Sequence, residues 1–454
     1  MYKRYERYKD SGIEWIGEIP EHWKKVKLKY LLKSIESGSR GLGGGNIDSG
    51  VFSIGGEHIT WEGKIMTSPS KFITEDYYSS LNSGKVNWGD TLLVKDGATI
   101  GKTAYVEIKP FGECAVNEHV YILRSNNKIL PKLLYYLVSG NLGFEQIKLE
   151  MRGAAQPGLN YGFTNKVMVP LIPLKEQKTI ANFLDHKSSE IDSLIADKEK
   201  LIEKLEEYKQ SIITEAVTKG LNPNVKMKDS GIEWIGEIPE HWEIIKLKYL
   251  GRCQNGVSKG AEYFGEGYPF VSYGDVYQNM ELPSKINGLA NSTINDRCLY
   301  SVREGDVFFT RTSETIDEIG IPSICMRSIN NAIFSGFLIR FRPFLGKLDK
   351  KYSKYYFSSY LHRAYFVKEM NLVTRASLSQ GLLKRLPVLV SPLYEQGKIG
   401  DYLEKLTYEV DAIVEKTITQ INLIKQYRQS LIYEAVTGKI DIREYQPERS
   451  EQLA

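Results

Sequence analysis

Apolar side chains recur every three and four positions in two long stretches, residues 173–220 and 392–439. In the first, Ile191, Leu194, Lys198, Leu201, Leu205, Tyr208 and Ile212 keep this spacing; in the second, Val410, Ile413, Thr417, Gln420, Ile424, Tyr427 and Leu431 repeat it 219 residues later. Such a 3.5-residue period predicts coiled-coil helices. About 40 residues at ~1.5 Å each make a rod of roughly 60 Å, which cannot bury its stripe alone. The nearest partner is the other helix of the same chain, and antiparallel pairing would place a globule at each end of the rod with pseudo-twofold symmetry. That separation resembles the ~34 Å of one DNA turn more than it resembles the width of an enzyme cleft. Lys198 and Thr417 share a polar seam position that either fixes register or marks a solvated layer. Ile195, Ile202, Val414 and Ile421 lie one step outside this seam. They predict an interface for a further helix from another subunit, weighed against packing on the chain's own globules.

Before each helix the pattern shortens to β-rich runs broken by Gly, Asn and Asp. VFSIGGEHIT around Gly56 resembles PFVSYGDVYQ around Gly274, GDTLLVK at Gly89 resembles GDVFFTR at Gly305, and AVNEHVYILR at Ala115 parallels AIFSGFLIRF at Ala332. One mixed α/β framework is thus written twice with different surfaces. The opening of each copy behaves differently. From Lys9 to Leu31 against Lys228 to Leu250, twenty of twenty-three residues agree, the exceptions being Lys24/Glu243, Lys25/Ile244 and Val26/Ile245. Ile13, Trp15, Ile16, Ile19 and Trp23 around Pro20 predict an anchored turn pinned by two buried indoles, followed by a strand-like run, Lys25 to Tyr30, with one basic face. The same anchoring job done twice accounts for the identity better than base stacking by Trp15 or Trp234, since identical readers would read identical sequences.

Length and composition narrow the class. A chain of 454 residues exceeds one core and suggests about three domains at ~150 residues each. No apolar run approaches the ~20 residues of a membrane span, and the start MYKRYERYKD carries no apolar signal region, which predicts a cytoplasmic protein with no membrane association. Cys114, Cys253, Cys298 and Cys325 form no C-x-x-C pair, so reduced thiols are expected and a disulfide frame or structural zinc is not. The formal charge is +4, while residues 175–218 carry −3 and 394–437 carry −2, leaving +9 for the remainder. That excess, with 29 tyrosines, suits contacts to phosphate and sugar and equally suits an ordinary surface.

Catalytic patterns are weak. Asn222-Pro223-Asn224 lacks the aromatic of an N-P-P-F adenine methyltransferase motif. Asp90 with Glu107 and Lys109 imitates a nuclease spacing that the second copy does not repeat. SGSRGLGGGN lacks the Gly-Lys-Ser/Thr of a P-loop, and the six histidines show no H-E-x-x-H. No catalytic and no metal-ligating residue is assigned.

The opening YKDSGIEWIGEIPEHW with VKLKYL, the P-L-x-E-Q start of each helix, the ID or VD within it, and the closing QSIITEAVTKG and QSLIYEAVTGK together resemble the specificity subunit of type I restriction-modification systems. The resemblance covers essentially the whole chain, in order and duplicated. It implies an α+β architecture: target-recognition domain 1 over 1–172, a central conserved helix over 173–220, target-recognition domain 2 over 221–391, a C-terminal conserved helix over 392–442, and a tail over 443–454. The two mixed α/β domains would be separated by long antiparallel coiled-coil helices. It further implies a non-catalytic subunit that reads a bipartite sequence in double-stranded DNA and docks two modification subunits and restriction subunits. No cofactor would bind this chain; S-adenosylmethionine, ATP and Mg would sit on the partners. A self-contained DNA methyltransferase or a nuclease fragment is the alternative.

Under that reading, recognition belongs where the halves disagree. Arg40 lies on a glycine-rich loop. Lys95 and Arg311-Thr312-Ser313 hold matching posts after a strand, and Arg311 is the strongest candidate for a guanine contact. Arg152, Gln156 and Asn160, with Arg375 at the post of Gln156, form a second divergent loop before each helix, where Gln and Asn suit adenine. Lys259 and Tyr273 complete the DNA-binding candidates.

Overall fold

The duplicated Gly-Asp pair shows how one framework is spelled twice. Gly89 and Gly305 adopt φ of +84° and +83°, and the following aspartate turns back to cap the loop. Asp90 accepts the Asn87 N–H at 2.7 Å and Asp306 accepts the Arg303 N–H at 2.8 Å. Each carboxylate also holds an arginine across the sheet, with Arg124 Nε 2.9 Å from Asp90 and Arg342 Nε 2.6 Å from Asp306. Burial pushes the Asp90 carboxyl up, and the Arg124 hydrogen bond opposes it. This is why Asp90 forms no nuclease trio: Glu107 pairs with Lys132, and Lys109 with Glu113 at 3.1 Å.

The structure, a computed structural model, describes residues 2–39, 47–109, 112–151, 158–313, 318–369 and 376–446. Two compact units emerge, Met1–Lys198 with Thr419–Ala454, and Glu199–Ile418. In the first unit, β1 (Leu32–Ser37), β2 (Thr91–Val94), β3 (Thr103–Tyr105) and β4 (Val120–Ser125) form an antiparallel sheet in the order β1-β4-β2-β3. The long helix α1 (Leu174–Lys219) follows. In the second unit, β5 (Gly251–Asn255), β6 (Val307–Thr310), β7 (Pro322–Ile324) and β8 (Leu338–Pro343) repeat the arrangement as β5-β8-β6-β7, and α2 (Leu393–Thr437) follows. Both sheets therefore share one topology, and the repeated P-L-x-E-Q words start both long helices.

Those words have a mechanical role. Glu176 accepts hydrogen bonds from Trp23 Nε1 (3.2 Å) and Tyr5 Oη (2.9 Å) and lies 2.7 Å from His22 Nε2. Glu395 does the same for Trp242 Nε1 (3.2 Å), with His241 Nε2 at 2.9 Å. Buried Gln177 accepts from the Leu130 N–H and donates to the Ile172 carbonyl, both at 2.8 Å; buried Gln396 pairs with Asp349 N–H and the Ser391 carbonyl at the same distance. The glutamate latches the opening segment, and the glutamine stitches the globule to the helix start. One indole of each copy is fully buried, Trp23 and Trp242; Trp15 is 46% exposed and Trp234 half-buried, so the expected pair of buried indoles is a single one. The basic run also stops being a strand at Lys27 and becomes a 3-10 turn, Leu28–Leu31, because both of these leucines point into the core.

Each core borrows from both long helices. In the first unit Ile180, Phe183 and Leu184 of α1 join Leu431, Ile432, Ala435 and Val436 of α2. In the second, Ile213, Ala216 and Val217 of α1 join Ile399 and Leu403 of α2. Within each unit the helices pair antiparallel, shown by Asp192 with Arg428 and Lys198 with Gln420 in the first and by Lys209 with Asp411 in the second.

The seam is displaced from the expected one. Ile191, Ile195, Lys198, Ile202, Leu205, Lys209 and Ile212 are buried or half-buried, as are Val410, Val414, Thr417, Ile421, Ile424, Arg428 and Leu431. Leu194, Leu201, Tyr208, Ile413 and Tyr427 are about half exposed instead. In the first unit Ile195 and Ile421, both 7% exposed, therefore face the chain's own interior rather than another subunit, and in the second Ile202 and Val414 are partly covered. A 3.5-residue repeat admits two phases that share every second member. The phase chosen carries Lys209 and Arg428 inward because each finds an aspartate across the seam, and it leaves the two tyrosines outside.

Candidate nucleic-acid interface

Two of the loops picked out as divergent converge in each unit. In the first, β2 is followed by Lys95, whose carbonyl accepts the Leu159 N–H at 2.8 Å, and Asp96 bridges to Gly158. In the second, β6 is followed by Arg311, whose carbonyl accepts the Leu378 N–H at 2.7 Å, and Thr312 and Ser313 pair with Ser377 and Ala376 as short strands. The next residue caps a short helix in both: Asn160 Oδ1 accepts from Gly162 N at 2.8 Å, and Ser379 Oγ accepts from Leu382 N at 3.0 Å. Arg40, Arg152, Gln156 and Arg375 lie outside the described residues.

A third loop joins these two, and the sequence reading did not single it out. Lys95 N donates to the His119 carbonyl and Arg311 N to the Phe337 carbonyl, each at 2.9 Å. His119 and Phe337 are thus equivalent residues on the turn before β4 and β8, and Phe337 is 63% exposed. Asn117 Oδ1 and Ser335 Oγ accept the N–H of these residues in the same way. The signal was present in the neighbouring strands, but the loop letters differ and the alignment at Ala115/Ala332 slips by one residue. In the structure Val116 corresponds to Phe334.

The third loop also gathers the remaining candidates of the second unit. Gly336 N donates to the Val257 carbonyl at 2.7 Å, bringing in the turn that carries Lys259, and Ser335 N donates to the Val271 carbonyl at 3.0 Å, two residues before Tyr273. Lys259 Nζ lies 5.8 Å from the centre of the Tyr263 ring, and Tyr273 stacks on Tyr277 at 5.7 Å.

The chemistry differs between the units on this common frame. Lys95 Nζ is 2.5 Å from Asp96 and 5.4 Å from the Tyr121 ring centre, and His119 Nδ1 is 3.3 Å from the same carboxylate. Tyr121 stands 4.8 Å from the half-exposed Tyr161, and burial raises its phenol well above the ordinary range. Arg311 Nη1 donates to the Gly336 carbonyl at 3.2 Å, which ties the guanidinium to the third loop. One unit thus offers a neutralised ammonium, imidazole and phenols, and the other a guanidinium, hydroxyls and a phenyl ring. Such groups donate and accept hydrogen bonds and pack on flat rings. Among the described residues no group of three or more His, Cys, Asp or Glu could hold a metal ion, and no helix is long and apolar enough to cross a membrane.

Comparison with known proteins matches this frame. The model of the type I restriction modification DNA specificity domain fits residues 20–207 and again 239–423. The putative MjaX specificity subunit of Methanocaldococcus jannaschii is 31% identical over 62% of this chain and 66% of its own length. The EcoKI specificity subunit of Escherichia coli is 24% identical over 83% of this chain and 80% of its own. Among solved structures, a chain described under complex assembly and conformational transition of the type I R-M system superposes with a TM-score of 0.70 at 17% identity, covering 93% of this chain and 99% of that one. The HsdS subunit of Thermoanaerobacter tengcongensis gives 0.50 at 17% identity over 93% and 98%.

Proposed function

We propose, for a chain that belongs to the type I restriction-modification DNA specificity family, that its two units each read one part of a split DNA sequence and that it leaves the chemistry to partner subunits. The chain is a specificity subunit and not the catalyst. The observation that carries the reading is the convergence of three loops at the same end of one sheet in both units, with the frame conserved between copies and the side chains changed. A protein that reads two unlike sequences with one scaffold requires that combination. Lys95, His119 and Asn160 in the first unit, and Arg311, Thr312, Phe337 and Ser379 in the second, are the candidate readers.

Docking of modification subunits falls to the apolar residues that the intrachain seam leaves outside, Leu194 and Tyr427 in the first unit and Leu201, Tyr208 and Ile413 in the second. Leu194, Leu201 and Tyr208 recur every seven residues, and these half-exposed side chains suit a partner helix. S-adenosylmethionine would bind the modification subunits, and ATP and Mg the restriction subunits. Co-expression with modification subunits and mapping of methylated adenines tests the reading; two unlike sequence parts at a fixed gap are expected, and a continuous motif would contradict it.

A further inference from the structure

The opening repeat contains exposed residues that packing does not explain. Leu28, Leu31, Leu247 and Leu250 point into the two cores, which accounts for their identity. Lys27, Lys29 and Tyr30 point outward, as do their mates Lys246, Lys248 and Tyr249. Tyr30 is 54% and Tyr249 61% exposed. Lys29 Nζ stands 5.0 Å from the Tyr30 ring centre and Lys248 Nζ 4.6 Å from that of Tyr249. Among the described residues none of the four lysines has a carboxylate at ion-pair distance, whereas Lys95, Lys132, Lys209 and Lys351 are all paired. Local copying does not account for the constancy. Three residues upstream the exposed Lys24 becomes Glu243, and Lys25 becomes Ile244.

Their position links them to the reading loops. The turn Leu28–Leu31 packs on the 3-10 helix Tyr161–Asn165, which Asn160 caps, and Leu28 N donates to the Val167 carbonyl at 2.9 Å. The turn Leu247–Tyr249 packs on the helix Gln380–Arg385, which Ser379 caps, and Leu247 N donates to the Leu386 carbonyl at 2.9 Å. In each unit two unpaired ammonium groups and an open phenol therefore flank the short helix that begins at a reading loop. The phosphate backbone is the same polymer whatever its bases, so contacts to it should be alike in both units while base contacts differ.

We propose that Lys27, Lys29 and Tyr30, and equally Lys246, Lys248 and Tyr249, grip the phosphodiester backbone of DNA independently of sequence, one anchor beside each set of reading loops. This rests on the DNA-reading function above. The test compares the full-length chain with two double variants, Lys27→Gln/Lys29→Gln and Lys246→Gln/Lys248→Gln. Each is titrated by fluorescence anisotropy against two duplexes, one bearing the methylation-mapped sequence and one with those bases shuffled, from about 50 to 200 mM salt. Each variant should melt as the parent does and lose affinity by the same factor on both duplexes. The slope of log affinity against log salt should fall by about 2. An unchanged slope, or a loss confined to the mapped sequence, overturns the anchor. So does intact DNA binding with lost capture of a modification subunit, which would assign the patch to a protein partner. Parent protein that binds neither duplex contradicts the DNA-reading function itself, an outcome distinct from parent binding with unaltered variants.

Discussion

Arg428 donates to Asp192 at 2.7 Å across the seam of the first unit, and 219 residues away the same pair returns with its members exchanged between helices, as Lys209 to Asp411 at 2.8 Å. The two are not equally supported. Lys209 also holds Glu206 at 2.7 Å, while Arg428, with a side chain only 10% exposed, has no second carboxylate among the described residues. Asp192→Asn should therefore cost about 1.5–3 kcal/mol, and Asp411→Asn under about 1 kcal/mol. Chemical denaturation of the two variants checks the order; equal losses would contradict it.

The glutamate latch makes a similar prediction at the helix starts. Glu176→Ala strands the Trp23 indole N–H and the Tyr5 hydroxyl, so about 1–3 kcal/mol of stability should be lost. Glu395→Ala strands Trp242 alike, without a tyrosine, and should cost less. Thermal melting of both variants reads the difference.

These latches mark what was legible in the sequence. The duplication, the two long helices and the recurring order of strands follow from periodicity and repeated words, because packing rewards the same letters in both copies. The phase of the helical seam did not follow, because a buried Lys209 or Arg428 looks disqualifying until its aspartate on the other helix is placed. The third loop was missed because His119 and Phe337 share no chemistry, only a backbone carbonyl that receives the same hydrogen bond. Lys95 and Arg311 could be matched because an invariant Gly-Asp turn precedes each.

The displaced seam separates two kinds of helix variant. Leu194→Glu should leave stability within about 0.5 kcal/mol yet weaken capture of a modification subunit. Ile195→Asp buries an unpaired carboxylate and should cost about 3 kcal/mol or more. Pull-down and melting together distinguish them, and undiminished capture by Leu194→Glu would reject the outward face as the docking surface.

Thiol reactivity checks the packing of the sheets. Burial pushes the Cys114 and Cys253 thiols up to about 11 and Cys325 up to about 12, while Cys298 is exposed. Iodoacetamide at pH 8 should modify Cys298 alone in the native chain and all four cysteines after denaturation, as read by mass spectrometry. Rapid native labelling of Cys325 would contradict the fold of the second unit.

The most direct measurement of the central claim is the methylation pattern laid down on DNA by this chain together with modification subunits, before and after residues 33–168 are exchanged for the corresponding segment of a relative. Methylated adenines should fall in two unlike sequence parts at a fixed gap, and the exchange should change one part and leave the other and the gap as they were. A continuous motif, a change in both parts, or methylation by this chain alone would contradict it.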